Sequence, residues 1–212
     1  MIHDLTITLN EQTLPFLPAG DPHMIWTHRV DHASFICQAS LVVMPSHLGT
    51  HVDAPLHYVK GGKTTADVEL SRFCGKAVCL AADDFPREGE YDIKPLLERN
   101  AASVEAGDIL ILYTGYEKLV GTPEYFKFPN FAENTGEALE ARGLRGIGFD
   151  SPSISLGNNR AHQEVLGREI AIIESLVNLE SLVGRRFFFI ALPLKFEDGD
   201  GSPVRAVAIT ED

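Results

Sequence analysis

A chain of 212 residues fits one domain and has ample material for a packed core. Hydrophobic residues at 44% and charged residues at 23% are ordinary globular values. The formal net charge of −12 argues against nucleic-acid binding, which needs a basic surface, and no apolar run reaches the length that spans a bilayer.

The amino-terminal MIHDLTITLN has no basic stretch leading into an apolar one, so it reads as the start of a cytoplasmic protein rather than as a secretory signal. Asp4–Leu9 alternates polar and apolar residues and predicts a strand. Residues 15–23, dense in Pro and Gly, predict a loop. Ser34–Met44, rich in β-branched and aromatic residues, predicts a buried strand, which would make Cys37 a core residue. Further strands are expected at Lys76–Ala81, Asp108–Tyr113, Gly146–Phe149 and Phe187–Leu194, and helices at Ile93–Asn100, Asn134–Arg142 and Arg160–Leu166. Glu197-Asp198-Gly199-Asp200-Gly201 predicts a hairpin between strands Arg186–Lys195 and Pro203–Ile209. Strands mixed with few helices, and no repeat or linker, give an α/β or α+β fold in a single unit over residues 1–212. Cys37, Cys74 and Cys79 fit neither a disulfide framework nor a CxxC motif, which again points to a reducing compartment.

The chemistry concentrates in His47-Leu48-Gly49-Thr50-His51-Val52-Asp53-Ala54-Pro55-Leu56-His57. His47, His51, Asp53 and His57 stand at offsets 0, 4, 6 and 10, all even. A fully extended segment of that length would cover about 33 Å, too far for the ligands of one small site. The chain must therefore bend between His47 and His51, where Gly49 lies, and again near His57, where Pro55 lies. His51 and Asp53 can stay together on one strand face. Imidazole and carboxylate donors suit Zn2+, Mn2+ or Fe2+, and the lack of thiolates favours a catalytic site over a structural one. A single His or Asp near a strand end is ordinarily a surface or hydrogen-bonded residue. Four in eleven positions, with Gly and Pro between them, are not explained that way.

HLGTHVDAPLH resembles the HxGTHxDxPxH signature of the cyclase family of metal-dependent hydrolases, which includes bacterial kynurenine formamidase and isatin hydrolase. Gly146-Ile147-Gly148-Phe149-Asp150-Ser151-Pro152-Ser153 is similar to the family's GxDxxS stretch. Ala161-His162, with Glu174 twelve residues after the His, is similar to its second ligand region. The resemblance implies a single-domain three-layer β/β/α fold (swivelling-domain-like) with a mixed sheet. It also implies one or two divalent ions, Zn2+ ahead of Mn2+, a small-molecule substrate, and a homodimer or larger homo-oligomer. It assigns His47, His51 and Asp53 to the first metal; Asp53, His162 and Glu174 to the second, with Glu174 able to bridge; and His57 to proton transfer. Residue patterns alone pass over His162, which sits in a polar helical stretch and reads as solvated, and Glu174, which ends an apolar run.

The implied activity is hydrolysis of an amide-type C–N bond, in an aryl formamide such as N-formylkynurenine or in a lactam, by a metal-activated water. Its rivals are a non-hydrolytic cyclase or dehydratase and a metal-binding protein without catalysis. Ser151 and Ser153 do not form a GxSxG elbow. The family's aryl-stacking aromatic near the amino-terminal Pro-Gly-Asp loop is replaced around Phe16-Leu17-Pro18, and its Phe after the last signature His is Tyr58. Trp26 is the only Trp that could serve in the pocket instead.

Overall fold

Buried apolar residues alternate between two cores, and that alternation defines the layers. In β5 (Cys74–Ala81) Val78 and Leu80 face one core, while Ala77 and Cys79 face the other. β7 (Ile109–Tyr113) repeats the pattern, with Leu110 and Leu112 opposed to Ile109 and Ile111. Both faces of these strands are therefore covered, which is why they read as continuous apolar runs. The first core is completed by Leu96 and Leu97 of α1 (Lys94–Arg99), Leu139 of α2 (Thr135–Ala141) and Val165 of α3 (Arg160–Leu166). The second is filled from the sheet itself, by Phe187, Phe189, Val52 and Ala208 among others.

The computed structural model describes residues 1–10, 13, 24–157 and 160–211. The remaining strands are β1 (Ile2–Asp4), β2 (Ile25–Val30), β3 (Ala39–Val43), β4 (His51–Asp53), β6 (Glu90–Tyr91), β8 (Asn130–Phe131), β9 (Gly146–Phe149), β10 (Ala171–Glu174), β11 (Arg186–Ile190), β12 (Gly201–Pro203) and β13 (Val207–Ile209). The main sheet has nine strands in the order β1-β13-β11-β5-β7-β9-β10-β4-β12. β5, β7, β9 and β10 run parallel, and the flanking strands pair antiparallel. Only residues 204–206 connect β12 to β13, a reach of about 14 Å. In a flat sheet those strands, seven places apart, would be roughly 34 Å distant. The sheet is therefore curled on itself around the second core. Two sheet layers and a helical layer give the three-layer mixed α/β fold that was expected.

Helix ends follow local chemistry. Pro95 sits in the first turn of α1. After α2, Gly143 takes φ +69, with its N–H on the Glu140 carbonyl and that of Leu144 on the Leu139 carbonyl, a glycine stop of the Schellman type. The three predicted helices and the strands at 76–81, 108–113 and 146–149 match to within a few residues.

Three expectations are corrected. The strand expected at Asp4–Leu9 is β1 at Ile2–Asp4, followed by an isolated bridge from Thr6 to Leu176. The segment Ser34–Met44 contains a strand, β3, but it is largely exposed, because among the described residues it pairs only with β2, in a separate two-stranded sheet. Cys37 is accordingly exposed rather than in the core. Finally, β11 and β13 do pair antiparallel, but Glu197–Gly201 does not close a tight turn between them. The chain leaves β11 at Ile190, runs to β12 on the far edge beside β4, and returns. The Pro-rich loop at 15–23, with Phe16, Leu17 and Asp21, lies outside the described residues.

Candidate metal centre

β4 organises the site. It lies between β10 and β12, so His51 faces Glu174 across one ladder and Asp53 faces Gly201 across the other. His51 and Asp53, two residues apart, leave the strand on one face, and Glu174 joins them from the partner strand. Upstream, Gly49 adopts φ +60 and supplies the bend that the spacing required. Downstream, Pro55 opens a 3-10 turn, Pro55–His57, that swings His57 back. His162 comes from α3 and is buried, not solvated.

The six residues singled out in the sequence converge. His47 Nδ1 lies 2.8 Å from Asp53 Oδ1, and His51 Nε2 lies 3.6 Å from Asp53 Oδ1 and 3.4 Å from Glu174 Oε2. His162 Nε2 lies 3.8 Å from Asp53 Oδ2 and 3.7 Å from Glu174 Oε1. Two compact donor groups share Asp53: His47, Asp53 and His57, and His51, Asp53 and Glu174. The His57 ring stacks on His47 at 3.9 Å between centroids, and Tyr58 stacks on His162 at 4.2 Å.

This donor set fits a divalent cation. Asp53 and Glu174 are 1% and 3% exposed, and their ion-pair partners among the described residues are histidines, not Lys or Arg. Buried carboxylates need a compensating cation. Asp53 Oδ2 is buried without a hydrogen-bond partner among the described residues. The separations of 3.4–3.8 Å among Nε2 and carboxylate oxygens are too long for good hydrogen bonds. They are close to the roughly 3.0–3.5 Å expected between donors sharing an ion at about 2.1 Å.

Surrounding groups fix the imidazoles. His51 Nδ1 sits 2.8 Å from the Gly49 carbonyl, so it carries the proton and leaves Nε2 bare toward the carboxylates. His162 Nδ1 is held by Ser155 Oγ at 2.9 Å, and Ile154 N–H donates to Glu174 Oε1 at 2.9 Å. Thr50, inside the same run, turns away from the imidazoles: it donates to the Ser175 carbonyl and accepts from Ile7 N–H. Burial works against a charged His47, yet its hydrogen bonds to Asp200 and Asp53 outweigh that and raise its pKa to about 10. Burial holds His57 below the ordinary imidazole value.

Sequence reasoning missed Asp200, whose Oδ2 lies 3.0 Å from His47 Nε2 and 3.5 Å from His57 Nδ1. Its Asp-Gly context was read as turn chemistry, and only the β12–β4 register brings it to the centre. Beside the site a cleft of about 300 Å³ reaches His47 and His51 between Ile7, Val120, Tyr125, Phe126 and Pro152. Trp26 is not among the residues lining it.

The sequence profile of the family described as "Putative cyclase" matches residues 3–155. The chain belongs to the cyclase family. Within that family it is similar to an uncharacterised protein of Methanocaldococcus jannaschii, 37% identical over 98% of each chain. It is also similar to a kynurenine formamidase of Erythrobacter litoralis, 33% identical over 97% of this chain and 92% of that one. Its fold is similar to that of isatin hydrolase A from Labrenzia aggregata, with TM-score 0.85 and 23% identity over 100% of this chain and 94% of that one.

Proposed function

We propose that this cyclase-family chain acts as one domain that hydrolyses an amide-type C–N bond in a small ring-bearing molecule, an aryl formamide or a lactam, with one or two divalent cations, Zn2+ ahead of Mn2+. The observation that carries the reading is the buried, shared Asp53, with one oxygen lacking a hydrogen-bond partner among the described residues and histidines on both sides. His47, His51 and Asp53 would hold the first ion, and Asp53, His162 and Glu174 the second. Bound there, the cation supplies Lewis-acid polarisation of a carbonyl and makes water acidic enough to attack near neutral pH.

The chain's own groups do the rest. His57 is the most exposed imidazole of the set, at 26%, and burial keeps it below the usual histidine range. It is therefore neutral near pH 7 and takes a proton at Nε2, the nitrogen not turned to Asp200, then returns it to the leaving nitrogen. Ile7, Val120, Phe126 and Pro152 give the cleft an apolar wall against which a flat substrate would pack, and the volume of about 300 Å³ suits a single ring system. Metal analysis of the purified protein, with a screen of aryl formamides and isatin-like lactams in ¹⁸O-labelled water, tests the assignment. One label in the carboxylate product is expected. Turnover without label identifies a non-hydrolytic acid–base enzyme, and absence of metal after reconstitution removes the central claim.

The reading extends to a cytoplasmic homodimer. The thiols of Cys37, Cys74 and Cys79 are unpaired, as in a reducing compartment. Ile25, Leu41 and Val43 share one face of the β2–β3 arm at 50%, 43% and 44% exposure, and a two-stranded arm is marginal unless something covers it. A second copy is the proposed cover.

A further inference from the structure

His47 is the ligand with the weakest local support. It sits on a turn, outside any strand, and its side chain is 19% exposed, against 1–4% for His51, Asp53, His162 and Glu174. Something else must aim its ring. Asp53 Oδ1 lies 2.8 Å from Nδ1, and Asp200 Oδ2 lies 3.0 Å from Nε2, so each nitrogen is engaged by a different carboxylate.

Asp200 is itself held in place. Ser46 Oγ donates to its Oδ1 at 3.0 Å, and Ala54 N–H donates to its backbone carbonyl at 2.8 Å. The next residue, Gly201, is locked opposite Asp53 in the ladder between β12 and β4. Gly201 also makes the space for the ring: a Cβ there would lie 2.5 Å from His47 Cε1 and 2.9 Å from Nε2. Ser46, Asp200 and Gly201 thus form a cradle shaped to one imidazole. Histidines that bind metals commonly donate their second N–H to a carboxylate, which fixes tautomer and orientation.

Resting on the metal-centre reading above, we propose that Asp200 is a positioning residue that accepts a hydrogen bond from His47 Nε2–H and so presents Nδ1 of His47 to the cation beside Asp53. The same carboxylate oxygen stands 3.5 Å from His57 Nδ1, and the two rings stack at 3.9 Å. Asp200 therefore also fixes the surface against which the proton carrier packs.

The experiment titrates metal-stripped protein with Zn2+ against a competing chelator, for the wild type and for Asp200→Ala, Asp200→Asn and Asp198→Asn, each checked for folding by circular dichroism. Asp198 is exposed in the same loop, so its variant removes a like charge without touching the cradle. Asp200→Ala is expected to weaken Zn2+ binding about 10–100-fold, in line with the loss of other carboxylates behind metal-bound histidines. Asp200→Asn, which keeps a carbonyl acceptor, should lose less, and Asp198→Asn should stay within about twofold of wild type. In the Zn2+-loaded wild type, ¹⁵N spectra of the His47 ring should show the proton on Nε2, and Asp200→Ala should lose that single tautomer. A folded Asp200→Ala with wild-type affinity overturns the proposal. So does an equal loss in Asp198→Asn, or a spectrum with Nε2 as the metal-bound nitrogen. A wild type that takes up no Zn2+ brings down the metal-centre reading, and this proposal with it.

Discussion

A methyl group added at Gly201 would collide with the His47 ring, and the nearby Val52 carbonyl, 2.9 Å from the same position, blocks the way out on the strand side. Gly201→Ala should therefore displace His47, weaken metal binding by at least about tenfold and lower activity with it, while circular dichroism stays native. His57 makes the opposite prediction. His57→Ala should keep its metal and lose about 10²–10⁴ in kcat, the usual contribution of a general acid–base group. Metal lost in that variant would make His57 a ligand, as its place beside His47 and Asp53 allows. Because burial lowers the His57 pKa, its base form persists to lower pH than that of free imidazole. Activity should fall as pH drops through that lowered value, and this acid limb should vanish in His57→Ala. At this scale the run from His47 to His57 was legible as a candidate site because its donor side chains are local and its bends need Gly and Pro. His162, Glu174 and Asp200 were not, since each is brought in by a different distant element and none carries a signal of its own. The family resemblance recovered the first two and left Asp200 unseen.

Among the elements, periodicity and punctuation read well wherever burial and sequence agree. β5, β7 and β9 are apolar runs because both faces are covered, and α2 stops where Gly143 takes φ +69. The failures have a common cause: pairing partners far away in sequence. β3 has the composition of a core strand, yet it is exposed because, among the described residues, only β2 pairs with it. The Asp-Gly run was read as a local turn although its strand belongs to the other edge of the sheet. Asp150, which follows β9, shows how the elements are tied. It is fully buried and accepts hydrogen bonds from Thr114 N–H at 2.8 Å, Thr114 Oγ at 2.6 Å and Glu117 N–H at 3.1 Å. Burial raises its pKa against the pull of these bonds. Asp150→Ala would strand those donors and should cost about 3 kcal/mol, read from the urea midpoint, while Asp150→Asn, which keeps one acceptor oxygen, should cost less.

For the whole molecule, metal and assembly are the measurable variables. Chelation would leave Asp53 and Glu174 buried without their cation, so stripped protein should melt about 5–10 °C lower, and Zn2+ at 100 times its dissociation constant should restore the difference. A melting curve indifferent to metal would contradict the site's burial. Leu41→Glu and Val43→Glu place charges on the exposed face of the β2–β3 arm and should convert a dimer to a monomer in light scattering after gel filtration. Wild-type protein that is already monomeric would remove the dimer.

The pairing of β4 with β10 and β12, and of β1 with β13, also sets an order in time. The first strand waits for the last, with Ile2 opposite Ile209, and the ligand strand waits for Glu174 and for Gly201. Contacts this remote in sequence form slowly, because the chain between them must first be ordered. As the polypeptide emerges during synthesis, His47, His51, Asp53 and His57 are made well before His162, Glu174 and Asp200. The full candidate donor set, with Glu174 and His162 closing on His51 and Asp53, is assembled only after α3 and β10 have been made and β4 has paired, so these distant elements set when a cation could be enclosed.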